Sequence, residues 1–346
     1  MLCDEVVRRK QKDVLNPRIN GKINGRSFGK RAVKIMNEKP VIRGKWLELT
    51  LNEVHQGKTV EAILKEDLAL SGRMIQRLTR QKGLFLNRKA PFLKKKGKKG
   101  DVLRVLIGDR EEGGLTPENI PIDITYEDHE VLVINKQPGL IVHPIKPDQQ
   151  GTLANGIAFY LASKGTPGKV RPVHRLDKDT SGLILIAKNS YIHHLLDKQL
   201  RENVIHREYL VLVKGKLADQ QGTIREPIGQ DPENPVKRKV VSTGEEAITH
   251  FQVEKEFAEC SLLRVRLETG RTHQIRVHFN HIGHPVLGDT LYGNPHPHIR
   301  RQALHAYQLQ FVHPLREELM SFTEEPLEDF QKLMEFEQKK GAVAKE

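Results

Sequence analysis

Residues 174–188, HRLDKDTSGLILIAK, set His174, Arg175, Asp177, Lys178, Asp179, Thr180 and Ser181 directly ahead of the apolar run Leu183–Ala187. Led by Gly182, that run reads as a short buried strand. Two carboxylates and several cations therefore stand on a turn that enters the core, and loops held by a rigid strand are where chemistry is usually mounted. An ordinary polar turn would have the same composition. A free aspartate has pKa about 3.9 and is ionised at neutral pH. When a ligand enters and water leaves, desolvation favours the neutral acid, and a neighbouring cation prevents that.

The segment TGRTHQIR (269–276) can supply the cation. Gly270 permits a tight strand-to-helix turn, and a helix start adds backbone N–H groups suited to anionic oxygens. A third group is HREY (206–209), where Tyr209 lies in a strand-like run and could equally be core. Hydrolysis of a glycosidic or N-glycosidic bond would require a second carboxylate beside Asp177. Asp179 and Glu208 are the candidates, and neither carries a supporting motif.

Other chemistries find little support. His273, His278, His281, His284, His296, His298 and His305 are numerous, but none is joined to a cysteine or to an H-E-x-x-H helix, so no metal is expected. No glycine-rich phosphate loop follows a strand, which leaves nucleotide cofactors unsupported. Ser181 has no identifiable base. The expectation is a site with no metal and no small-molecule cofactor.

Taken in order, HRLD, HREYL and TGRTHQIR resemble the signature of the RluA/RluD-type pseudouridine synthases, and the similarity runs from about Ile120 to Phe330. The resemblance implies that Asp177 is the catalytic residue. It makes Arg271, the arginine after Thr-Gly, the ion-pair partner of that carboxylate. It sets Tyr209 against the target base and gives Arg175 the task of stacking where a flipped base has left. His174, Leu176 and Arg207 join the substrate site. The family's N-K-P-x-G turn is present with its proline displaced by one position (Lys136-Gln137-Pro138-Gly139), while Gly139, His143 and Pro144 still fit. The implied fold is α+β, a catalytic core on a mixed, largely antiparallel sheet plus a small α/β RNA-binding domain. The implied activity is isomerisation of specific uridines in large-subunit ribosomal RNA. Transfer RNA as substrate, or a non-enzymic ribosome-assembly factor, are the alternatives.

These residues must be positioned by a chain of 346 residues, long enough for one large and one smaller domain. Its formal charge of +13 calls for a polyanionic partner, with nucleic acid ahead of an anionic membrane because no basic amphipathic anchor is visible. No apolar stretch is long enough to span a membrane, and two distant cysteines, Cys3 and Cys260, suit a reducing cytoplasm. A monomer is expected.

Residues 1–45 read as a basic, disordered arm, within which Met36 offers an alternative start. Residues 46–110 resemble the small RNA-binding domain of the ribosomal-protein S-four type. Within it WLELTL is strand-like, Thr59 and Ser71 can cap helices, and GDVLRVLI closes as a strand. Arg73, Arg77, Arg80, Lys82, Arg88, Lys89, Lys94–Lys96, Lys98, Lys99 and Arg104 face a single carboxylate, Asp101, an arrangement suited to phosphates. Residues 111–120 form a polar linker, 121–330 the catalytic domain, and 331–346 a helix end and tail. In the large domain Thr152, Ser190 and Thr272 are expected to cap helices, the last beginning at His273, and Pro326 to open a final helix.

Overall fold

The computed structural model describes residues 39–108, 114–146 and 148–343. Most of the expected N-terminal arm, residues 1–38, lies outside them, as do residues 109–113 around the expected linker. The end of the supposed arm is ordered into a strand, β1 (Val41–Arg43), which pairs antiparallel with β2 (Trp46–Thr50).

The small domain continues through a short helix α1 (Val60–Ala62), whose turn widens over Ile63–Asp67, and α2 (Gly72–Arg80). Thr59 Oγ1 and Ser71 Oγ accept the amide hydrogens of Ala62 and Met74 at 3.1 and 3.2 Å, satisfying N–H groups with no helical partner. Strands β3 (Leu84–Leu86) and β4 (Val102–Leu106) complete an antiparallel sheet in the order β1-β2-β4-β3. Val60, Ile63, Leu64, Met74, Ile75 and Leu78 are buried beneath it, as their helical spacing requires.

The large domain is built on one sheet. Its strands are β5 (Asp123–Glu127), β6 (Val131–Lys136), β7 (Arg171–Pro172), β8 (Ser181–Ala187), β9 (His206–Lys214) and β10 (Gln221–Arg225). After a two-stranded hairpin, β11 (Ile228–Gln230) and β12 (Arg238–Val240), the sheet resumes with β13 (Ile248–Glu256), β14 (Cys260–Leu267), β15 (Leu304–Val312) and β16 (Leu319–Thr323). The order is β10-β13-β14-β9-β15-β8-β6-β5, with β7 on β8 and β16 on β15. Among these pairings β8 and β15 run parallel and the rest antiparallel, which is a mixed α+β sheet.

Every residue of β8 is buried, because both of its faces are covered. Ile184 and Ile186 point into one core with Leu153 and Ile157 of α3 (Leu153–Ser163). Leu183, Leu185 and Ala187 point into the other, with Ile192 and Leu196 of α4 (Ser190–Arg201). That second core runs without a break into Leu47, Leu64, Met74 and Leu78 of the small domain.

Two caps differ from expectation. The α4 cap is Asn189, whose Oδ1 accepts from the amides of Tyr191 and Ile192, while Ser190 Oγ donates to the Ile107 carbonyl across the domain boundary. At α5 (Gln274–His281) the cap residue is His273, in a left-handed conformation at φ +59°, and Thr272 lies outside the helix. The Gln274 side chain folds back to accept from the Arg271 amide at 2.9 Å, which replaces a Thr272 cap. The final helix, α6, spans Glu328–Val343.

Candidate active site

The turn carrying Asp177 is fastened before it reaches solvent. His174 Nε2 accepts from the Leu185 amide at 3.2 Å, and burial pushes the imidazole down to about 3, so the ring is neutral and serves as an acceptor. Beyond Asp177, the Thr180 amide donates to the Asp177 carbonyl at 3.2 Å. Lys136, with no exposed surface, donates to the carbonyls of Gln137, Leu140 and Lys178 at 2.9, 3.0 and 2.9 Å. Burial pulls its ammonium down to about 7, against the fields of Asp179 and Asp177. The displaced proline of the Lys136 turn therefore leaves the lysine fully engaged. Gly182 follows at φ +105°, and a Cβ there would run into the Ala306 carbonyl, so only glycine lets β8 lie against β15 at this point. Ser181 Oγ is 2.9 Å from Nδ1 of His305, whose Nε2 bonds the Glu324 carbonyl, which engages the serine in structure.

Asp177 opens onto a cleft of about 1210 Å³, lined among others by His174, Arg175, Leu176, Arg207, Tyr209 and Arg271. The expected Asp177–Arg271 ion pair does not form. Arg271 is bonded to Glu245 and, at 2.9 Å through Nε, to the Glu246 carbonyl. The guanidinium on Asp177 belongs to Arg276, one turn into α5, with Nη1 at 3.0 Å from Oδ2. Arg276 is itself held by both oxygens of the buried Asp289, at 2.7 and 2.9 Å, and lies 5.1 Å from the ring centre of Tyr292. Burial opposes its charge, but the bonds from Asp289 and the field of Asp177 outweigh that and raise its pKa. Five positions separate the two arginines, with the left-handed residue His273 between them.

The other expected residues do gather at the cleft. Arg175 is exposed at its mouth, with Nη2 3.4 Å from Thr272 Oγ1. Tyr209 is buried in its wall, and burial raises its phenol above the usual range. Arg207, two residues away on the same face of β9, is buried with its Nε unpartnered. A Cβ at Gly270 would lie 3.3 Å from Arg207 Nη1, so this glycine leaves room for the guanidinium. Glu208 points to the opposite face, onto Arg264 at 3.1 Å, and Asp179 is also absent from the cleft wall. Neither is placed to act as a second catalytic carboxylate with Asp177.

Of the six basic residues singled out in the small domain, Arg73, Arg77, Arg80, Lys82, Arg88 and Lys89 are all exposed. Lys99 and Arg104 of the wider patch are used internally, on Glu53 at 2.7 Å and Glu48 at 2.8 Å.

Among the described residues one group of ligand types converges, Asp128, Glu130 and His313. His313 Nδ1 accepts from the amides of Leu315 and Arg316, which leaves Nε2 to carry the hydrogen toward Asp128 at 3.0 Å. Arg316 and Tyr126 also bond Asp128, each at 2.9 Å. Burial would raise the Asp128 carboxyl, but the bonds from His313, the backbone and Tyr126 outweigh it and hold it below the carboxylate range. The group satisfies itself as an ion network, and the donor set does not suit a cation.

Sequence asked for Asp177, Tyr209 and an arginine, and it missed Arg276, Asp289 and the part played by Lys136. Arg276 and Asp289 lie within TGRTHQIR and GDTLYG, yet no local signal ranks the two arginines or pairs residues 13 apart.

A sequence profile described as RNA pseudouridylate synthase matches residues 130–281. An uncharacterized RNA pseudouridine synthase of Bacillus subtilis, YhcT, is 42% identical over 287 residues, 82% of this chain and 94% of the relative. A ribosomal large subunit pseudouridine synthase D of Nitrosomonas europaea is 37% identical over 294 residues, 82% of this chain and 85% of the relative. Among solved structures, human RNA Pseudouridylate Synthase Domain Containing 1 matches with TM-score 0.51 and 25% identity, over 60% of this chain and 85% of that one. With its carboxylate on a clamped turn, its sheet and these relatives, the chain belongs to the RluA/RluD-type family of RNA pseudouridine synthases.

Proposed function

We propose that this RNA pseudouridine synthase acts on specific uridines of large-subunit ribosomal RNA, with Asp177 as the catalytic carboxylate. One observation carries the assignment of the residue: Asp177 is gripped by Arg276 at 3.0 Å within the cleft that Tyr209 and Arg175 also line. The Nitrosomonas relative, a ribosomal large subunit pseudouridine synthase, supports the choice of RNA.

The reaction breaks the bond from ribose C1′ to N1 of uracil, turns the base, and joins C1′ to C5. The C5 proton is lost and N1 gains one, so nothing is consumed. A uridine within folded RNA must first leave its stack, at a cost of a few kcal/mol. Arg175, planar and exposed at the mouth, is placed to stack in the vacated position and offset part of that cost. Arg276 stays against Asp177 as its counter-charge once the base has displaced water, because its own charge is secured by Asp289. Tyr209 packs against the base and assists removal of the C5 proton. Arg207, Leu176 and His174 complete the pocket, the first as a cation for ribose-phosphate oxygens and the last as the anchor of the turn. Residues 46–110 act as the RNA-binding domain, through Arg73, Arg77, Arg80, Lys82, Arg88 and Lys89. In this reading it acts as a monomer. No helix among the described residues is long and apolar enough to cross a membrane, and we place the protein in the cytoplasm with its RNA.

Pseudouridine mapping tests the reading, on total RNA from a deletion strain complemented with wild type or with Asp177→Asn. Sites in large-subunit RNA that return with wild type and stay absent with the variant are expected. Identical maps in both strains would overturn it, and sites confined to transfer RNA would correct the substrate.

A further inference from the structure

A smaller recess of about 320 Å³ lies where the small domain meets the large sheet. Arg73 and Arg77 of α2 form one wall, and Arg171 of β7 with His193 of α4 form the other. Arg171 and His193 also line the active-site cleft, so the two recesses share a wall. The carboxylate at the seam, Asp197, is paired with Arg201 at 2.9 Å, which leaves the recess cationic.

The two domains are joined as if by a core. Ser190 Oγ donates to the Ile107 carbonyl at 3.0 Å, and His194 Nε2 is 2.7 Å from the Ala69 carbonyl. Lys39 pairs with Glu317 at 3.3 Å on the outside of the seam. Between them runs the shared apolar core, in which Leu47, Met74 and Leu78 continue into Leu183, Leu185 and Ile192. Linked domains are expected to move unless their interface is large and hydrophobic, and this interface is apolar and continuous.

We propose that the small domain is a fixed wall of the RNA-binding groove and not a tethered arm. The RNA strand beside the target uridine leaves the cleft over Arg171 and His193, and its phosphates pass directly onto Arg73 and Arg77. The proposal rests on RNA being the substrate and adds where that RNA runs and why the uridine is presented at one distance from the small domain. An anion groove spanning two rigidly joined surfaces reads the shape of folded RNA, since the positions of its phosphates are set relative to Asp177.

Two measurements test it, both on the full chain with in vitro-transcribed, unmodified large-subunit ribosomal RNA. In the first, Lys39→Cys and Glu317→Cys are joined by a short bis-maleimide in a Cys3→Ser background, with Cys260 buried. The bridge should form readily, and bridged protein should keep turnover and RNA affinity within about twofold of the unbridged form. Failure to bridge, or loss of turnover on bridging alone, would mean that the small domain swings, and would overturn the proposal. In the second, Arg73→Ala, Arg77→Ala and Arg171→Ala should each reduce the salt slope of RNA binding by about one. A slope unchanged by Arg171→Ala would remove the large domain's share of the groove. If wild type makes no pseudouridine in the transcript, the substrate assignment fails, while the salt slopes still decide the groove.

Discussion

Asp177 and Arg276 are bonded at 3.0 Å across 99 residues of chain, and Arg276 reaches the carboxylate while both oxygens of Asp289 hold it from behind. Arg271, five residues earlier, is turned to Glu245 and the Glu246 carbonyl. The two arginines should therefore behave differently. Arg276→Gln is expected to lower kcat by about 10²–10³-fold, the scale seen when a charge-stabilising donor is removed. It should also destabilise the fold by about 3–5 kcal/mol, because Asp289 is left buried and unpaired. Arg271→Gln should change kcat by less than tenfold, since an exposed pair contributes about 0–1 kcal/mol. Turnover and urea unfolding of both variants check this, and equal losses would return the pairing role to Arg271.

Gly182 links the Asp177 turn to β8. At φ +105° a side chain is strained, and its Cβ would lie 2.7 Å from the Ala306 nitrogen as well as against the carbonyl oxygen. Gly182→Ala should destabilise by about 3 kcal/mol through overpacking and strain together. Thermal unfolding measures the loss, and a variant with unaltered Tm would mean that β8 and β15 part easily.

Lys136 gives its three hydrogens to three carbonyls, one of them on Lys178 beside Asp177. Lys136→Met keeps the length of the side chain and removes every donor. Unsatisfied carbonyls should lower stability by about 1–3 kcal/mol. The turn should also loosen, so kcat falls while RNA affinity is retained. Steady-state kinetics beside direct binding separate these effects. A loss confined to affinity would point to an RNA contact instead.

The buried neutral His174 gives a pH dependence of known sign. Its folded pKa of about 3 lies below its ordinary value of 6.5. Between these values the unfolded chain takes up a proton that the folded chain refuses. The stability associated with a neutral ring is fully present above pH 6.5 and is lost as pH falls toward 3. His305, pushed down by burial to about 4, acts in the same direction. His174→Gln keeps an acceptor for the Leu185 amide and cannot titrate, so stability should fall less steeply on acidification. Urea midpoints at pH 7 and pH 4.5 would reveal the flatter limb.

Much of the protein was legible in local order. The polar turn ahead of an apolar strand marked where chemistry could be mounted, the resemblance singled out Asp177 within it, and helical spacing with the Thr59, Ser71 and Thr152 caps identified helices whose N–H groups those side chains do satisfy. Such features are readable because each depends on residues a few positions apart, which backbone geometry brings together wherever they occur. The tertiary structure alone decided which arginine meets Asp177, because Asp289, from a separate loop, holds Arg276 while Glu245 and the Glu246 carbonyl hold Arg271. It alone gave Lys136 its three carbonyls, which come together only when two distant turns close over one ammonium. It alone joined the small domain to the sheet. The unbroken apolar run of β8 announces two buried faces, but apolar contact has no direction, so the sequence cannot name what covers each of them.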